Sequence, residues 1–265
     1  MSGRGLANPT INKRLQCINA FLVWCVERGE LDRKPRIRLL KTDRRTPGRL
    51  PGEQLQALFD RIAMGPSRPE NQWSYRLHHR FLTVAAATGA RRAEIFWLPW
   101  ARIDFKREVI YVQKSKRMQV KERKDKTLPM PPRFRDYLLC ERESYPGEVW
   151  LLDNGRGDLF YNTPGGISRA FSRHYAALGI KGVKPIHGLR ASFGDYLLNV
   201  LQLPISDVQR WLGHEYETTT LLYASDEGGR LRKAPRSIGS LSPVRPLALP
   251  EILAGRAANG PPRKG

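Results

Sequence analysis

Between Arg102 and Val112 the apolar period of this chain changes, and no other feature constrains its fold as much. Ile103 and Phe105, then Val109-Ile110-Tyr111-Val112, with Lys106-Arg107-Glu108 between them, read as two short strands joined by a turn. Thr127-Leu128-Pro129-Met130-Pro131 offers a short third strand, and Pro129, which has no N–H for a ladder, requires an edge or a strand end there. The basic run from Lys114 to Lys126 then becomes the loop between strands. Elsewhere the apolar residues follow a helical period. The expected fold class is therefore mainly α with a small antiparallel β-sheet, an α+β arrangement.

The helical pattern begins with Thr10 to Arg28, where Ile11, Leu15, Ile18, Phe21, Leu22, Cys25 and Val26 recur at three- and four-residue steps. Gly29 and a basic, Pro-containing stretch through Arg44-Arg45-Thr46-Pro47-Gly48 follow without an apolar period, the composition of a linker. Helices resume from Pro51, with Leu55, Leu58, Phe59 and Ile62 on one face, from Trp73 to Ala87, and near Arg91. After the sheet they are expected at Pro132 to Arg142, Ile167 to Ala177, Gly188 to Leu201, Ile205 to Trp211 and Thr218 to Tyr223. Beyond Ser225 the chain is rich in Gly, Pro and Arg, and only Leu247 to Ala254 offers a short helix; most of this tail is expected to be mobile alone.

The formal charge of +21 exceeds what solubility needs and points to a polyanionic partner, nucleic acid first, through phosphate neutralisation and counterion release. No run of about 18 apolar residues is present, so a membrane partner is not expected. Met1-Ser2-Gly3-Arg4-Gly5 lacks the apolar stretch of a secretory signal, and a cytoplasmic location is expected. The three cysteines, Cys17, Cys25 and Cys140, form no C-x-x-C pair and read as buried free thiols.

Three short motifs carry chemistry. They are Thr88-Gly89-Ala90-Arg91-Arg92-Ala93-Glu94, His187-Gly188-Leu189-Arg190, and the run from Trp211-Leu212-Gly213-His214 to Tyr223. A phosphodiester is cleaved without metal when a side chain attacks phosphorus, the nonbridging oxygens are neutralised and the leaving oxygen is protonated. Guanidinium forks suit the second task, since they donate paired charge-assisted bonds to phosphate and stay ionised; Arg91 and Arg190 are the choices. On a helix His187 and Arg190 share a face, and a histidine near its ordinary pKa of about 6.5 can accept a proton or donate a hydrogen bond. His214 supplies a further donor, and Gly213 the backbone freedom to present it. Tyr223 is the nucleophile, and because a free phenol titrates near 10 it needs those cations or a base. Singly, each motif has an ordinary explanation: a surface pair, a packed tyrosine, a helix stop, a turn before a helix. Their order on so basic a chain, with nine residues from His214 to Tyr223, argues for the joint reading.

That ordered set resembles the tyrosine recombinases, the phage integrase family, over about Pro51 to Ser225. The resemblance implies a catalytic constellation of Arg91, Lys116, His187, Arg190, His214 and Tyr223, with no cofactor and no metal. Within it Lys116, on the loop after the second strand, protonates the leaving oxygen, with Lys114 as its rival. Lys121, Lys124 and Lys126 are expected to meet backbone phosphates or solvent. Glu94 looks like support for the site, and Arg92 is expected at the surface. The implied activity is site-specific cleavage and rejoining of DNA through a 3′-phosphotyrosine, for integration or excision of a mobile element. Implied partners are double-stranded DNA, a homo-oligomer (tetramer) on it, and accessory DNA-bending proteins. In these terms 1–34 is a partial core-binding region, 35–50 a basic linker, 51–225 the catalytic domain and 226–265 a flexible basic tail, with Leu247 to Leu253 resembling a segment that docks on a neighbour. Only about 50 residues precede the catalytic domain, which suggests a reduced form or contacts supplied by another subunit. A non-cleaving DNA-binding protein of the same fold and a relaxing enzyme of the type IB topoisomerase kind are the alternatives.

Overall fold

Proline stands in the first turn of four helices, α1 (Asn8–Glu27), α5 (Pro132–Ser144), α6 (Pro164–Ala177) and α7 (Pro185–Asp195). Its fixed φ suits a helix start, and its missing N–H is one that a first turn leaves unbonded in any case. The other helices are α2 (Gly52–Ala63), α3 (Gln72–Thr88), α4 (Arg92–Phe96) and α8 (Ile205–Leu212). These elements come from a computed structural model, which describes residues 5–42, 48–113 and 125–213. Two units separate by their internal contacts, Met1–Thr46 and Pro47–Gly265.

In the first unit α1 ends at Glu27, and Gly29, just past its Arg28 cap, is left-handed with a φ of 73°. The segment after it, expected to be plain linker, is tied to the start of the helix. Asn12 accepts from the Leu40 N–H and donates to the Leu40 carbonyl, both at 2.8 Å, and Asn8 donates to the Lys41 carbonyl at 2.9 Å. Cys25 is buried, as expected, but Cys17 and Cys140 are exposed. Cys17 lies on the outward face of α1 and Cys140 on that of α5, so the expectation that all three thiols are buried is corrected.

In the second unit a three-stranded antiparallel sheet is ordered β1 (Ile103–Asp104), β2 (Val109–Val112) and β3 (Lys126–Pro129). The turn between β1 and β2 falls at the expected Lys106-Arg107-Glu108: the Asp104 carboxylate accepts from the N–H groups of Lys106 and Arg107, and Glu108 adopts a φ of 56°. Pro129 sits at the end of the edge strand opposite Val109, where its missing N–H costs least. Lys126, expected to lie in the loop, instead opens β3 opposite Val112.

The helices pack chiefly on α3 and α7, and Leu58, Phe59, Phe81, Phe96, Ile110 and Phe134 are essentially fully buried in one core with the sheet. Leu50 anchors the start of the unit, its N–H donating to the Ser192 hydroxyl of α7 at 2.7 Å. The helix expected from Gly188 to Leu201 is α7 followed by a π turn, Tyr196–Val200, in which the Leu201 N–H donates to the Tyr196 carbonyl. A polar group lies inside the core as well. Arg80 of α3 is 0% exposed and held by Glu141, at 2.5 Å, by Glu148, at 2.5 Å, and by the Leu151 carbonyl, at 2.8 Å. Arg76 joins it through Glu148 and stacks on Trp73 and Tyr145, at 3.9 and 3.6 Å from the ring centroids. Among the described residues no helix is long and apolar enough to cross a membrane.

Candidate active site

The site forms where helices α3 and α8 end. Helix α3 stops at Thr88 because Gly89 turns left-handed, φ 61°, and a Cβ there would stand 2.3 Å from the Phe193 ring. Helix α8 stops in the same way at Gly213, φ 66°. Such ends leave carbonyl groups without helical partners and concentrate partial negative charge. Two guanidinium groups answer them. Arg190 donates from Nη1 to the Gly89 carbonyl at 2.7 Å and from Nη2 to the Leu212 carbonyl at 2.6 Å. Arg91 donates from Nη2 to the Gly213 carbonyl at 2.8 Å.

Arg91 occupies the N-cap of α4, with Glu94 at the third position of the helix, and the Glu94 carboxylate reaches back to it twice. One oxygen accepts from the Arg91 N–H at 2.7 Å, the other from Arg91 Nη1 at 3.1 Å. Glu94 is only 2% exposed. Burial alone would raise its pKa, but Lys126 and Arg91 outweigh it and hold the carboxyl below the ordinary value. Arg190 is 5% exposed, whereas the Arg91 side chain is 28% exposed, so the two forks sit at different depths.

Among the sequence-predicted residues the structure brings together Arg91 and Arg190, and Glu94 contacts Arg91. His187 lies one helical turn before Arg190 on α7, exposed, and its pKa is lowered by partial desolvation and then by the charges of Arg190 and Lys184. A neutral imidazole is favoured there, the form that can accept a proton. Arg92 is exposed and donates to the Ser168 hydroxyl of α6, so the surface role expected for it holds. Lys116 and its rival Lys114, His214 and Tyr223 lie outside the described residues, as do the Thr218 to Tyr223 helix and the tail.

Lys126 is the residue that sequence reasoning misplaced. Instead of meeting solvent, its Nζ lies 2.7 Å from the Glu94 carboxylate, a charge contact out of line for a good hydrogen bond, with the side chain 13% exposed. Burial lowers its pKa to about 8; Glu94 opposes that shift, and Arg190 and Arg91 add to it. A signal for this placement was present. Strand side chains alternate, so Lys126 shares a face with Leu128, which is 1% exposed in the core. Among the described residues no group of three or more His, Cys, Asp or Glu could hold a metal ion.

The phage integrase family pattern matches residues 49–228, more than half of the chain. The chain belongs to the phage integrase family. It is a tyrosine-type site-specific DNA recombinase, similar to the tyrosine recombinase XerC of Oceanobacillus iheyensis, at 27% identity over 89% of this chain and 78% of that one. It is also similar to XerC of Mycobacterium tuberculosis, at 28% identity over 87% of this chain and 77% of the relative. The fold of this recombinase is shared with the Tn1549 transposon integrase in complex with transposon right end DNA, with a TM-score of 0.68 and 18% identity over 85% of this chain and 77% of that one. A lambda integrase dimer bound to a core site shares it too, with a TM-score of 0.62 and 16% identity over 80% and 74%.

Proposed function

We propose that this recombinase cleaves and rejoins duplex DNA with Tyr223 as nucleophile, Arg91 and Arg190 on the scissile phosphate, and His187, His214 and Lys116 as the proton-handling groups. The convergence of Arg91 and Arg190 at the ends of α3 and α8 carries the reading. Carbonyl groups fix the plane of each fork, and preset donors need little rearrangement when charge builds on the phosphate oxygens. The Tyr223 oxygen bonds to phosphorus as the bond from phosphorus to the 5′-oxygen breaks. The phenolic proton passes to a nearby base, for which the neutral His187 is suited, and the leaving oxygen takes a proton from Lys116. The product is a 3′-phosphotyrosine and a free 5′-hydroxyl. A 5′-hydroxyl from a second strand then attacks the same phosphorus and releases the tyrosine, so bond energy is conserved.

The charge of +21 supports DNA as the partner, and the DNA-bound relatives of this fold agree with it. Exchange between two duplexes cuts four strands, and one nucleophile per chain then calls for a tetramer. Accessory DNA-bending proteins, and integration or excision of a mobile element as the biological setting, complete the reading. The test is recovery of SDS-resistant protein–DNA adducts on the DNA flanking the protein's own gene. Wild-type protein is expected to give adducts and Tyr223→Phe none, with duplex binding nearly intact; adducts from the phenylalanine variant would sink the assignment.

A further inference from the structure

The carboxylate of Glu94 lies between Arg91 and Lys126. It caps α4 through the Arg91 N–H and pulls on the Arg91 fork through Nη1, so its position sets where that guanidinium points. Yet Glu94 is attached to a helix of five residues, and a buried carboxylate is costly unless it is neutralised from more than one side. The second side comes from the sheet. Lys126 opens β3, is paired opposite Val112, and brings its ammonium to the same Glu94 oxygen that accepts from the Arg91 N–H. Glu94 is thus the acidic side chain that meets both Lys126 and Arg91.

We propose that Lys126 is a positioning residue for strand cleavage, clamping the Glu94 carboxylate from the sheet so that Arg91 is held in line for the scissile phosphate. It acts through Glu94 and does not itself touch the DNA. A lysine with a pKa of about 8 is still mostly charged at neutral pH, as the clamp requires. The inference rests on the tyrosine cleavage reading and adds to it a residue on β3 outside the predicted catalytic set.

The test measures single-turnover adduct formation by the full chain at saturating duplex, alongside duplex Kd. Lys126→Met is expected to slow adduct formation by about 10- to 100-fold, the cost of a displaced catalytic group, with Kd changed less than about twofold. Lys126→Arg restores the rate to within about threefold, because charge on the carboxylate is what matters. The Lys126→Met, Glu94→Gln double variant is no slower than Glu94→Gln alone, the non-additivity of two residues on one path. Should Lys126→Met fail to fold, Lys126→Gln takes its place, slow where Lys126→Arg is fast. Three results overturn the inference: Lys126→Met as fast as wild type, both charged and neutral variants equally slow, or a double variant slowed by the product of the single effects, which would put Lys126 on the phosphate. Wild-type protein that gives no adducts overturns the tyrosine reading, and this inference with it; wild-type adducts undiminished by Lys126→Met overturn this inference alone.

Discussion

Two arginine clusters lie in the second unit, and they are built in opposite ways. Around Arg76 and Arg80 two cations meet two full carboxylates, Glu141 and Glu148. Burial would lower the Arg80 pKa, but those carboxylates raise it above the ordinary guanidinium value, so the charge is locked in place. Around Arg91 and Arg190 the Glu94 carboxylate meets Arg91 and Lys126, and backbone carbonyls aim the Arg91 and Arg190 forks. The C-terminal end of a helix as a whole brings about half a negative charge, enough to orient a guanidinium but not to cancel it. The first cluster pairs its cations with whole carboxylates; the second is oriented largely by carbonyl groups, the arrangement that the proposed phosphate site calls for. Burial of an arginine is therefore common to both clusters, whereas the kind of acceptor differs between them.

The largest effect should come from breaking the balanced cluster. Arg80→Met leaves Glu141 and Glu148 facing each other without Arg80's charge, a loss of about 3–5 kcal/mol. Thermal unfolding should then show a Tm lower by on the order of 10 °C. A smaller shift than that of Arg190→Ala would reverse the comparison. Arg190→Ala is expected to lower the single-turnover adduct rate by about 10²–10³-fold, the cost of one preset donor to a developing charge. If the rate fell less than about tenfold, Arg190 would not face the phosphate.

An intermediate effect should follow from acid. The imidazole of His78 lies 3.0 Å from His174 and 2.6 Å from the Tyr161 hydroxyl, and burial lowers the pKa of His78 to about 3 and of His174 to about 4. The unfolded chain binds these protons below about pH 6.5 while the folded chain does not, so stability present above that pH is lost as pH falls toward 4 and 3. Unfolding midpoints between pH 7.5 and 4.5 should fall by more than about 5 °C; a flat profile would mean that the pair opens to water. The smallest effect belongs to Arg92→Ala, which removes an exposed bond to Ser168 and should leave the adduct rate within about twofold. A larger loss would bring Arg92 into the pocket in place of Arg91.

Much of this was legible along the chain because it is local. The helical period around Leu55, Leu58, Phe59 and Ile62 and the strand alternation of Val109 to Val112 mark α2 and β2, and the ordered motifs name Arg91, His187 and Arg190. What escaped is pairing across distance. Lys126 looks like one more cation in a basic run, and only strand register turns it toward Glu94, 32 positions earlier; nothing local to Arg80 marks the Glu141 and Glu148 that fold over it. The exposed Cys17 and Cys140 follow from helix faces that the sequence alone left unpartnered. The π turn after α7 leaves no mark in composition at all.

The most direct test of the central claim is to digest a trapped protein–DNA adduct and identify by mass spectrometry the residue that carries the 3′-phosphate. The account predicts a single phosphotyrosyl peptide at Tyr223. Attachment at any other residue, including the neighbouring Tyr216, would contradict it.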